Sequence, residues 1–132
     1  MRKSKVLNGI LILLGVLLSF LGAWRLFNPI SFFENSGLVL SDNAGLLNEA
    51  RATGGVVVGF GLLILLGAFK SKLSYTSTIV SIVLFYSFGI ARLIGFALDG
   101  NAGEMLVQGM IFEFAFGSIG LFALFKYREK TK

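Results

Sequence analysis

Four long stretches almost free of charge dominate the chain: Val6 to Trp24, Ala52 to Phe69, Leu73 to Ala91, and Met105 to Phe125, the last interrupted only by Glu113. Each reaches or approaches the roughly 18 to 20 residues that carry a helix across a hydrocarbon core of about 30 Å. They are rich in Leu, Ile, Val, Phe and Gly with no strand-like alternation. A barrel strand needs only about 10 residues of alternating character, so the helix is the spanning form that fits. Composition agrees, because a 132-residue chain that is 55% hydrophobic is too apolar for a soluble domain. The expected fold is an all-α, four-transmembrane-helix bundle forming a single domain over residues 1–132.

The basic residues give this bundle a direction. Arg2, Lys3 and Lys5 precede the first span, Lys70 and Lys72 occupy the link between the second and third, and Lys126, Arg128, Lys130 and Lys132 follow the fourth. Among the acids, Glu34, Asp42, Glu49, Asp99 and Glu104 lie at or near the other end, Glu129 joins the bases, and Glu113 lies within the fourth span. By the positive-inside rule both termini of this multi-pass chain are expected in the cytoplasm. The opening "MRKSK" resembles the start of a signal peptide. The apolar run behind it is longer than an ordinary h-region and "LGAW" is a poor cleavage site, so an uncleaved span is expected.

The net charge of +5 invites a nucleic-acid reading. The bases are juxtamembrane, however, where topology and anionic lipid headgroups explain them, and no nucleic-acid partner is expected. Cys and His are both absent. Their absence from the sequence removes thiol chemistry, disulfides and the usual zinc and bis-histidine haem ligand sets, so neither cofactor nor metal is expected. Glycine-rich phosphate loops are missing too.

Between the first two spans, "NPISFFENSG" reads as a short helix at the outer interface, with Asn28 as its cap, Pro29 at the first helical position and Gly37 as its stop. Ser41 or Asp42 is the expected cap of the second span. The chain also echoes itself. "KSKVL" at Lys3 and "KSKLS" at Lys70 are 67 positions apart, and the same offset lays "GAWRL" at Gly22 on "GIARL" at Gly89, Arg25 on Arg92. "FGLLILLGAFK" from Phe60 and "FGSIGLFALFK" from Phe116 align at an offset of 56. A duplicated helical hairpin with parallel repeats gives this pattern, and so does chance similarity among apolar helices.

Charges inside the spans are the candidate site. Arg92 and Glu113 both fall in the outer half, on neighbouring antiparallel helices, each flanked at helical spacing by glycines (Gly89 and Gly95; Gly109 and Gly117) that let helices approach. An unpaired charge near mid-span costs about 2.5 to 3.5 kcal/mol on insertion scales, so partners are expected. The candidate polar cluster is Arg25, Glu49, Arg51, Arg92, Asp99 and Glu113, with Arg92 paired to Glu113 and Arg25 or Arg51 paired to Glu49. Such a cluster either locks helix register or lines an outward-opening polar pocket for an anionic headgroup or metabolite. Two carboxylates without a base, metal or nucleophile specify no reaction, and the chain is not expected to be an enzyme.

Elsewhere the signals are packing signals. Gly55 and Gly59 have the small-xxx-small spacing for close packing within the bundle or between subunits. The hydroxyls of "SYTSTIVS" are expected to bond to their own backbone. Trp24, Tyr75 and Tyr127 suit interfacial belts, and the phenylalanines suit lipid or packing contacts.

Taken together, "NEARATGGVVVGFGLLILLGAF", "ARLIGFALDG" and a glutamate in the final span resemble a bacterial family of small four-helix membrane proteins classed as a domain of unknown function, close in character to DoxX-like proteins. The resemblance runs from Gly22 to Phe125. It implies a four-helix inner-membrane protein with a polar signature at Glu49, Arg51, Arg92, Asp99 and Glu113. Some DoxX-like relatives are small subunits of quinone-linked oxidoreductases, and others depend on cysteines, which this chain lacks.

The functional expectation is a non-catalytic accessory or assembly subunit, or a binder of lipid or a small ligand. Its partners would be membrane lipids and another membrane protein, or a second copy through Gly55 and Gly59. The alternative is a small oligomeric transporter or proton-coupled carrier in which Glu113 titrates beside Arg92.

Overall fold

A computed structural model describes residues 1–129; Lys130 and Lys132 of the C-terminal basic group lie outside it. The described residues are helical: α1 (Lys5–Phe27), α2 (Pro29–Asn35), α3 (Ala44–Phe69), α4 (Ser74–Asp99) and α5 (Glu104–Tyr127), with one 3-10 turn, Ser71–Leu73, before α4. The four long helices are each apolar and long enough to cross a membrane.

Those helices outrun the apolar segments chiefly at the end rich in acids, because hydropathy marks only the lipid-covered part while capping residues decide where a helix stops. Asn28 ends α1 and starts α2, its side chain accepting from the Ser31 amide at 3.2 Å, with Pro29 in the first turn. Gly37, at φ +78°, follows α2 in a conformation that L side chains seldom adopt. Asn43, rather than Ser41 or Asp42, caps α3. Its Oδ1 accepts from Gly45 at 2.8 Å and Leu46 at 3.2 Å, while the Ser41 hydroxyl is occupied with the Asn43 amide at 3.2 Å.

Two hairpins pack together, α1 with α3 and α4 with α5; the short α3–α4 link holds the hairpins against each other. At the basic end the Arg2 amide donates to the Tyr127 carbonyl at 2.7 Å, and the N-terminal ammonium lies 3.8 Å from Glu129, tying the start of α1 to the end of α5. The core fills this half with Leu7, Leu11, Leu14, Ile64 and Ala123, all at most 1% exposed.

In the first hairpin, backbone meets backbone. A Cβ on Gly22 would stand 2.7 Å from the Val58 amide nitrogen and 2.8 Å from the Gly54 carbonyl; one on Gly61 would stand 2.7 Å from the Ser19 nitrogen. The contact residues are thus Gly15, Gly22, Gly54 and Gly61, a spacing of two turns on each helix, where small residues give the van der Waals gain that drives helix association in lipid. The expected pair, Gly55 and Gly59, has nothing within 4 Å and takes no part in packing within the bundle. Of the glycines near Arg92 and Glu113, Gly89 packs on Phe114 and Gly117 on Tyr86, whereas Gly95 and Gly109 face open space.

Hydroxyls join α4 to α3. Ser74 Oγ donates to the Gly67 carbonyl and Ser77 Oγ to the Leu63 carbonyl, each at 2.8 Å, crossing to the neighbouring helix instead of bonding to their own. Thr78 and Ser81 do bond back within α4. The glycine at position 67 leaves room for this close approach.

Burial is uneven along the second hairpin. The last buried residue of α4 is Gly89 and the first of α5 is Gly117. Toward the acidic end α4 and α5 still hold each other, but they stand away from α1, and a cavity opens between the hairpins.

Candidate site: a charged cavity at the acidic end

The cavity holds about 320 Å³ and takes its walls from all five helices, a volume on the scale of a small-molecule site. Leu17, Leu18, Leu21, Val57, Phe85, Phe88 and Phe116 give it an apolar wall. From Leu17 to Arg25 the α1 wall runs eight residues, about 12 Å. Three charged side chains share this cavity: Arg25, Arg92 and Glu113.

Arg92 and Glu113 form the expected pair. Arg92 Nε donates to Glu113 Oε1 at 2.8 Å, a charge-assisted bond between α4 and α5. The pair is only partly covered, the two side chains being 32% and 15% exposed, so it is a single half-buried bridge and not the buried network the sequence led us to expect.

Arg25 is held differently. Its Nε donates to the Ala50 carbonyl at 3.1 Å, and its guanidinium carbon lies 4.8 Å from the centre of the Phe33 ring and 5.7 Å from that of Phe32. These are cation–π distances. Trp24 completes the support, meeting Phe32 edge-on at 5.4 Å and donating from Nε1 to Ser31 Oγ at 3.2 Å. The short helix α2 therefore acts as the clamp for Arg25.

The other three predicted residues lie elsewhere. Arg51 turns to the end of α1, where its NH1 donates to the Leu26 carbonyl at 2.6 Å and the Phe27 carbonyl at 3.2 Å. A cation there satisfies orphan carbonyls and complements the negative end of the helix dipole. Glu49 is exposed and makes no ion pair among the described residues, so neither Arg25 nor Arg51 pairs with it. Residues two apart on a helix point to different sides, and Glu49 and Arg51 do so here. Asp99 is the last residue of α4, exposed, and about 10 Å along the axis beyond Arg92, clear of the cavity.

Sequence reasoning missed Trp24, Phe32, Gln108 and Gly109 as cavity residues. One signal could have found much of the wall. The offsets of 67 and 56 lay Leu18 on Phe85, Leu21 on Phe88, Arg25 on Arg92 and Val57 on Glu113, and all eight line the cavity. Helix contacts follow the same offsets: Gly22 against Val58 corresponds to Gly89 against Phe114, and Gly61 against Ser19 to Gly117 against Tyr86.

Four helices of membrane-crossing length, joined in two hairpins around one charged cavity, define a multi-pass membrane protein. The chain belongs to the DUF4345 family, a domain of unknown function whose family model matches residues 6–124. No curated protein and no solved structure matches it.

Proposed function

We propose that this is a non-catalytic membrane protein that binds one lipid or small apolar ligand in the cavity between its hairpins, serving a larger membrane assembly as an accessory subunit. The observation that carries this is the cavity itself: an apolar space of about 320 Å³ with Arg25, Arg92 and Glu113 on its wall, a combination suited to an amphipathic guest. By the positive-inside rule the basic end with both termini faces the cytoplasm of a bacterium, so the cavity belongs to the outer half of the inner membrane and α2 to its outer interface. The resemblance to DoxX-like proteins, some of which are small subunits of larger membrane assemblies, is in keeping with this reading.

We read the two hairpins as copies of one ancestral unit, because two interhelical contacts and four cavity positions coincide under the sequence offsets. Parallel repeats place a binding site at their interface, which is where this cavity lies. Binding is favoured over carriage by the other half of the bundle, where Leu7, Leu11, Leu14 and Ile64 fill the space a through-path would need.

Gly109 lines the cavity, and a Cβ at that position would meet nothing within 4 Å, so Gly109→Trp is the variant chosen to occlude the space. Native mass spectrometry of protein extracted with its own lipid should show about one small guest per unaltered chain and none on the Gly109→Trp variant. Equal guest occupancy in the two would reject the cavity as the binding site.

A further inference from the structure

The two hairpins differ in charge at matching positions. In the second, Glu113 answers Arg92; in the first, the corresponding position is Val57, 7% exposed and facing the same cavity. Arg25 therefore meets no carboxylate among the described residues. Its Nε is satisfied by the Ala50 carbonyl, and its terminal nitrogens have no protein acceptor there. Two guanidiniums and one carboxylate line the cavity, so one positive charge there has no protein carboxylate to answer it among the described residues, which suits an anionic guest.

We propose that the guest is a monoanionic single-chain amphiphile, a carboxylate on one apolar tail, with its headgroup on Arg25 and its tail among Leu17, Leu21, Phe85 and Phe88. This rests on the ligand-binding function proposed above and names the class of guest. The guanidinium presents a planar fork of donors that matches a carboxylate in two hydrogen bonds. Phe32 and Phe33 hold the guanidinium in place by cation–π contact. One unbalanced charge fits a monoanion; a dianion would leave a surplus and a cation would be repelled. A wall about 12 Å long and a volume of about 320 Å³ match a single short acyl chain. The ligand carboxylate thus supplies from outside what Glu113 supplies within the second hairpin.

Trp24 is the sole tryptophan and lines the cavity, so its fluorescence reports occupancy. In the purified full chain in detergent at pH 8, 12-bromododecanoate should quench it saturably, at concentrations at least tenfold lower than 12-bromododecanol. Arg25→Gln should erase that preference, bringing acid and alcohol to the same half-quenching concentration. Val57→Glu, which adds an internal carboxylate at the position aligned with Glu113, should erase it as well. The comparison of acid with alcohol in the unaltered protein needs neither variant to fold. Equal saturable quenching by both probes would overturn the anionic guest while leaving a binding cavity; no saturable quenching by either would overturn the cavity's function and this inference with it.

Discussion

The bridge between α4 and α5 yields a measurable coupling. At 2.8 Å, two unit charges attract by about 6 kcal/mol at an effective dielectric constant of about 20. Most of that is offset by the cost of taking both groups from water. Interhelical polar contacts in membrane proteins keep about 0.6 kcal/mol on average and about 1.7 at most. With Glu113 15% exposed and Arg92 32% exposed, the bridge sits above that average without reaching the maximum, and a coupling of about 1 kcal/mol is expected. Arg92→Ala strands a carboxylate, and Glu113→Ala leaves Arg25 and Arg92 as like charges in one cavity, so each single change should cost about 2 kcal/mol. The double variant should then cost about 3 rather than about 4 kcal/mol. Reversible unfolding in mixed micelles by dodecyl sulfate titration, followed by circular dichroism, measures all four corners of the cycle. Losses that add to within about 0.3 kcal/mol would refute an energetic bridge between the two residues.

Glycine substitutions separate the packed face of α3 from its open one. Gly54→Ala should lower stability by about 1 to 3 kcal/mol in the same titration, because its Cβ would lie 2.7 Å from the Leu26 nitrogen, whereas Gly55→Ala should leave stability unchanged or slightly raised. Arg51→Ala should cost about 0.5 to 1 kcal/mol through the lost cap on α1 and leave quenching of Trp24 by the brominated acid untouched. Glu49→Gln, at an exposed position with no ionic partner among the described residues, should change neither.

Much of the architecture is legible in the residues, and the reason is the solvent. Lipid demands unbroken apolar helices, so Val6 to Trp24 and its three counterparts announce themselves by composition, and Arg92 and Glu113 stand out because a charge there needs a partner. The interior carries a fainter record. Glycine spacing alone does not tell which face of α3 meets α1: Gly54 and Gly55 are adjacent in sequence, yet only Gly54 touches the neighbouring backbone. Arg51 and Glu49 look like a pair by composition, but the rotation between them and the free carbonyls at the end of α1 draw Arg51 elsewhere. The clamp on Arg25 depends on α2 folding back, which places Phe32 and Phe33 by a turn at Asn28 that no periodicity encodes.

Whether the space between the hairpins holds a guest can be seen directly in a density map of the protein extracted with native lipid. An elongated non-protein feature with one end on Arg25 and the other among Leu17 and Phe85 is the expected result. A space closed by α5 settling onto α1, with the two arginines turned outward and nothing between them, would contradict it.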